Sequence, residues 1–238
     1  SGSSANVILV GSGSEESVER SEVRTEAEAA AATAVPGLAS PLGNTAASGE
    51  IVYMAPLQIV GGPEKPALLR GVTEKALLVH QRVRILTGSF PGAGEVMVGS
   101  LMHRSFGVSP DELAPGKRLL FGRDEFRVSG VFEASGTVLE SEAWFDRNDL
   151  AAITQRDSLS AIYLRLDDAE FDDVHVFTLQ RNDLELSAIR EDQYYEKLSG
   201  FYAPIRVMIW ITAALVAAGA LFGAVSYTHL TLPTKRIV

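Results

Sequence analysis

Residues 118–132 read RLLFGRDEFRVSGVF, two runs rich in apolar residues parted by Gly122-Arg123-Asp124. Alternating apolar residues on both sides of a Gly-bearing turn are the signature of an antiparallel hairpin, here 118–121 against 125–132. Further strands are predicted on either side, at 6–10, 51–60, 67–72, 76–80, 83–86, 95–98, 161–166 and 184–189, with another ending at Trp144-Phe145. Helices are predicted at 100–106, 172–179 and 191–200. Another covers 147–154, with Asp146 suited to its N-cap. Over 20–34, Val23, Ala27, Ala30, Ala31 and Ala34 share one helical face, and Pro36-Gly37 stops the helix. Strands and helices mixed around a hairpin give an α+β fold class.

The chain has 238 residues, 46% of them hydrophobic, with 21 basic and 30 acidic groups and a net charge of −9. Enough apolar surface is present for a sizeable core, which excludes a disordered tail. The acidic balance argues against nucleic acid as a partner. The absence of cysteine excludes a disulfide scaffold, a thiolate zinc site and a cysteine nucleophile. With neither an initial Met nor a signal peptide, Ser1 reads as a cut end. No Asp or Glu follows Glu196, so the chain divides into an acidic body and an apolar end.

That end holds VMIWITAALVAAGALFGAV at 207–225, 19 positions without a charge. As a helix it spans about 28 Å, close to the hydrocarbon thickness of a bilayer, and it is apolar all round. It is therefore expected to cross the membrane. Trp210 suits the headgroup level and Arg206 can extend its charge into water. Pro204 fits the first turn, where its missing N–H costs nothing. Gly219 and Gly223 form a small-xxx-small pair that would let a neighbouring helix approach closely. The Thr-rich end 226–238 reads as a non-native scar, so the natural chain is expected to continue differently after Val225.

Chemistry-bearing patterns are sparse. His80, His103, His175 and His229 lack metal-ligand spacing, and His80 and His175 read as strand or surface residues. Asp167, Asp168, Asp172 and Asp173 form an acidic cluster without the Gly and Glu placement of a calcium loop, and read as solvated. Gly11-Ser12-Gly13-Ser14 lies between a strand and a helix but lacks the Lys and third Gly of a phosphate cradle, and Glu15 and Glu16 would repel an anion. No catalytic residue, metal ligand or cofactor site is predicted.

Four quoted pieces carry a family resemblance: GEVMVG at 94–99, APGK at 114–117, FRVSGVFE at 126–133 and ESEAW at 140–144. With NVILVGSGSEES near the start and REDQYYEKLSGFYAP before the apolar run, they make the chain resemble the MacB-like periplasmic core domain of ABC transporter permeases. RVMIWITAALVAAGALFGAV, at 206–225, resembles the opening helix of an FtsX-like permease domain. The resemblance implies an extracytoplasmic domain over 1–200, built from two subdomains. The smaller, around 92–133, is inserted in the larger, and one transmembrane helix follows over 201–225. It also implies a permease subunit in the cell (inner) membrane that is not itself an enzyme, nucleotide hydrolysis belonging to an ATP-binding subunit or a missing domain. The implied partners are that subunit, a second permease in a homo- or heterodimer, the lipid bilayer and a periplasmic adaptor. The implied mechanism is mechanotransmission, in which ATP-driven helix motion acts on the extracytoplasmic domain for export or extraction of substrate. Pro204, Arg206, Trp210, Gly219 and Gly223 are then the candidate coupling and membrane-packing residues. A membrane-tethered binding or chaperone domain without an ATPase is the alternative, and a tethered hydrolase a third.

Overall fold

The structure, a computed structural model, describes residues 2–230, with side chains described except at 199, 201–203, 206 and 222–230. The chain divides into two compact units, the first ending at Tyr194 and the second beginning at Tyr195. The first unit is a mixed α+β domain around a sheet.

Strand β1 (Asn6–Gly11) is buried along its whole length. A continuous apolar run of this kind needs cover on both faces, and it forms an inner strand. Its neighbours are β10 (Leu186–Arg190) and β9 (Ala161–Arg165), both antiparallel to it, and β9 pairs in turn with the first residues of β2 (Ala47–Ile59). β1 and β2 therefore run in the same direction with β9 between them, joined through helix α1 (Glu26–Ala34). β9 and β10 likewise run together with β1 between them, joined through α5 (Phe171–Gln180). Two interleaved split βαβ units result. Ala27 and Ala31 of α1 and Val174 and Phe177 of α5 pack on the face carrying Val7, Leu9, Ile162 and Leu164. Ile8, Val10 and Tyr163 turn to the other face, as the period of two requires.

Everything from β3 to α4 is inserted between β2 and β9: β3 (Glu64–Val72), α2 (Ala76–Val79), β4 (Arg84–Gly88), β5 (Glu95–Gly99), α3 (Met102–Phe106), β6 (Arg118–Phe121), β7 (Asp124–Glu133), β8 (Ala143–Asp146) and α4 (Arg147–Thr154). The strand order is β10-β1-β9-β2-β3-β8-β5-β7-β4, with β6 pairing both β2 and β7. The predicted hairpin is β6–β7, with Phe121 opposite Asp124 and Leu119 opposite Phe126. Gly122 takes φ +63°, which a Cβ would disfavour. Asp146 caps α4, its side chain accepting from the N–H groups of Asn148 and Asp149 at 2.9 and 3.3 Å.

Three local expectations are corrected. Residues 76–80, read as a strand, form α2, because Ala76 and Val79 bury at a spacing of three and the His80 N–H closes a turn onto the Ala76 carbonyl at 2.8 Å. The helix expected from residue 20 begins at Glu26, because Val23 is drawn into a two-way backbone bridge with Leu159, both bonds 2.8 Å. The last helix, α6 (Glu191–Leu230), runs without a break, so Pro204 lies in its interior and not in a first turn. Its ring removes the N–H that would bond the Gly200 carbonyl.

Candidate functional site

The two parts of the sheet meet within β2. Glu50 is paired with Ala161 of β9, whereas Ile51 is paired with Gly71 of β3. Here four ionisable side chains from different elements converge out of solvent: Glu50 of β2, Arg70 of β3, His80 at the end of α2, and Glu142 just before β8. Arg70 directs Nη1 to Glu50 Oε2 at 2.7 Å, and its Nε and Nη2 donate to the two oxygens of Glu142 at 2.6 and 2.8 Å. His80 Nε2 lies 2.8 Å from Glu50 Oε1, and Trp144 Nε1 donates to Glu142 Oε2 at 3.0 Å. The Arg70 guanidinium lies 5.4 Å from the centre of the Tyr163 ring. The rings of Tyr163 and Trp144 flank His80 at 5.0 and 5.8 Å. Apolar side chains close the surroundings: Ile8, Val52 and Val79 in one cluster, and Met97, Phe132 and Ala76 in another.

Isolated charges at such a place would be expensive, and pairing sets their protonation. Burial by itself raises the Glu50 pKa, but His80 and Arg70 outweigh it and bring Glu50 down to about 2. Burial works against a charged His80, yet the Glu50 carboxylate beside it raises the imidazole above its usual range. Arg70 is held as a cation by Glu142, Tyr163 and Glu50 against the same burial. The Tyr163 hydroxyl is pushed up, mainly by burial. A guanidinium shared by two carboxylates and sealed from solvent offers no open position to a substrate; its work is to join strands.

A second polar contact fixes the start of α6. Glu191 is buried, and its Oε2 accepts from the Ser3 N–H at 2.8 Å and from Asn6 Nδ2 at 3.0 Å. Asn6 Nδ2 also reaches the Val79 carbonyl, 3.4 Å away, next to His80. One turn on, the Tyr194 hydroxyl accepts from the Val18 N–H at 3.3 Å, and burial raises its pKa. The beginning of α6 is thus tied to β1 and to the end of α2.

The residues singled out in the sequence lie elsewhere. Pro204, Trp210 and Gly219 are exposed on α6, and a Cβ built at Gly219 meets nothing within 4 Å. The surroundings of Arg206 and Gly223 lie outside what the structure describes, as does the segment 231–238. Among the described residues no helix is long and apolar enough to cross a membrane; the expected span 207–225 is helical, but its side chains are described only to Leu221. Also among the described residues, no metal-ligating group of three or more forms. The acidic cluster is used locally: Asp173 accepts from the Glu170 N–H at 2.8 Å, and the Gly37 carbonyl holds the N–H groups of Asp167, Asp168 and Ala169. The Gly11–Ser14 amides are similarly occupied, Gly11 by Ser21 Oγ and Ser12 by the Glu185 carbonyl.

The four pieces that carry the resemblance fold together. Val128 N–H donates to the Lys117 carbonyl, and Gly116 N–H to that of Val128, both at 2.8 Å. Ser100 N–H bonds the Phe132 carbonyl, also at 2.8 Å, while Gly99 N–H and Leu101 N–H bond the carbonyls of Glu142 and Glu140 at 2.9 and 2.8 Å. A Cβ on Gly99 would lie 2.3 Å from the Glu140 oxygen, so glycine is required there. A scan of family descriptions matches residues 1–174 to the MacB-like periplasmic core domain. The chain belongs to this family. Comparison with curated sequences finds no match. Among solved structures, the chain is similar to the periplasmic region of MacB from Actinobacillus actinomycetemcomitans. That likeness has 12% identity and a TM-score of 0.60, over 83% of this chain and 94% of that one. It is also similar to the extracellular domain of the noncanonic ABC-type transporter YknZ from Gram-positive bacteria. Here the identity is 15% and the TM-score 0.56, over 77% of this chain and 99% of that one. At such identities the likeness is one of fold.

The sequence reading did not single out the buried cluster of this MacB-like domain. The available hint was a charge standing alone in an apolar strand, as Glu50 does before Ile51-Val52 and Arg70 after Leu68-Leu69.

Proposed function

We propose that this chain is part of the permease subunit of an ABC-type transporter, with the MacB-like domain outside the cytoplasm and residues 207–225 crossing the membrane. The supporting observation is a succession: a MacB-like periplasmic core domain over residues 1–174 precedes, by about thirty residues, a 19-residue uncharged apolar run. Transported material is then moved by work done on the domain, and ATP is hydrolysed by a partner subunit or a further domain. Glu191 and Tyr194, tied to Ser3, Asn6 and Val18, anchor the domain end of α6. In this reading α6, helical from Glu191 to Leu230, would carry a pull or tilt to the domain. Within the domain, residues around 92–133 form the smaller subdomain, with β5, β6 and β7 as its strands. Gly219 and Gly223 provide the close approach of a second permease helix, and Trp210 and Arg206 set depth in the bilayer.

The decisive perturbation is a flexible Gly/Ser insert between Gly200 and Pro204 in the full-length transporter. Export is expected to be abolished while assembly with the ATP-binding subunit persists. Undiminished export by that variant would discredit mechanical coupling and favour a domain that is merely tethered.

A further inference from the structure

The buried cluster at β2 has a charge imbalance that one proton corrects. Two carboxylates, Glu50 and Glu142, face one guanidinium, that of Arg70, whose Nε, Nη1 and Nη2 each donate to one of their oxygens. With a neutral imidazole the knot carries one surplus negative charge; with an imidazolium it is balanced. His80 is the only member whose ordinary titration lies near neutrality. Its Nε2 points at Glu50 Oε1, an acceptor already committed to its charged form. Charged and titratable groups reach His80 from every neighbouring element. Glu50 comes from β2, Arg70 from β3, and Glu142 beside Trp144 from the start of β8. Tyr163 comes from β9, whose Arg165 donates to the carbonyl of Leu78, two residues before His80, and Glu191 comes from α6. Only Arg70 and Arg165 are positive among these, so the balance of the surroundings favours a cation at His80.

The location gives the proton a consequence. Glu50 lies where β2 changes partners from β9 to β3, and Arg70, His80 and Glu142 all belong to the insertion between β2 and β9. We propose that the Glu50–Arg70–His80–Glu142 cluster is a proton-dependent clasp, in which protonated His80 holds the inserted strands against the split βαβ half and loss of the proton loosens that junction. The proposal concerns the domain itself and stands whether or not the transporter reading does. Because the folded state binds the His80 proton more tightly than the unfolded chain, the clasp's contribution is complete below the ordinary histidine pKa of about 6.5. It is lost as pH rises through the folded-state value, which lies higher.

The test uses the 238-residue chain carrying Trp210→Phe, which leaves Trp144 as its only tryptophan. The His80 imidazole is followed by NMR from pH 5 to 10, assigned by difference against His80→Gln. Trp144 emission and the urea midpoint are recorded over the same range. The expected result is a His80 titration clearly above the ordinary value. Over the same interval the emission should shift to the red and the urea midpoint should fall, and both changes should be absent from His80→Gln. A His80 that titrates at or below the ordinary value overturns the proposal. So does a Trp144 emission that stays constant while His80 titrates. The His80 resonance is also assigned in the parent by its proximity to the Tyr163 and Trp144 rings, so a poorly folding His80→Gln would not rescue the idea.

Discussion

Arg70→Met separates a cluster that joins strands from one that merely survives burial. Methionine keeps much of the stem volume of arginine but removes the cation, leaving Glu50 and Glu142 facing each other through apolar surroundings. The lost contacts are three charge-assisted hydrogen bonds of 2.6 to 2.8 Å. Removing one partner of a buried ion pair typically costs about 3–5 kcal/mol, because the other is left uncompensated. Against a total stability of about 5–15 kcal/mol this is a large fraction. For a domain of this size it corresponds to a fall in Tm of about 6–20 °C. Thermal and urea unfolding, followed by far-UV circular dichroism and by Trp144 fluorescence, measures the change. The triple variant Arg70→Met, Glu50→Gln, Glu142→Gln should recover at least half of the loss, since the penalty is one of unpaired charge. A loss below about 1 kcal/mol for Arg70→Met would place it with ordinary surface pairs and refute the reasoning. A triple variant no more stable than the single one would do the same.

Asp146→Ala removes the oxygen that accepts from Asn148 and Asp149 at the start of α4, and should cost about 1 kcal/mol in a urea titration without changing its slope. Asp146→Asn should retain most of that stability. Gly99→Ala places a Cβ against the Glu140 backbone, where no side chain can swing away. Overpacking of this kind should cost about 1–3 kcal/mol, whereas a change within about 0.5 kcal/mol would show that β5 and the 138–141 turn are not held together as described.

Local chemistry made many elements legible in the sequence. The β6–β7 hairpin followed from a Gly turn between alternating runs, and α4 from Asp146 with its following eight residues, because both are decided by residues near one another in the chain. The α+β class followed from their mixture. Local reading failed where distant contact overrode it. Val23 left the predicted helix because Leu159 offered its backbone, and residues 76–80 became a helix because burial favoured a spacing of three. The Gly11–Ser14 loop, already unlike a phosphate cradle in sequence, has its Gly11 and Ser12 amides occupied by Ser21 and Glu185, contacts that no local pattern announces.

The buried cluster belongs wholly to this second kind. Arg70 is 72 residues from Glu142, and Glu50 is 20 from Arg70 and 30 from His80. The order of residue types established by itself a hairpin, a capped helix, an acidic body and an uncharged apolar run, since each depends on periodicity or composition within a short window. Only the tertiary structure decided that β2 would divide its pairing between β9 and β3, and that four scattered ionisable residues would meet there. Sheet order is set by the combined burial of whole faces, and the charges meet where those faces join.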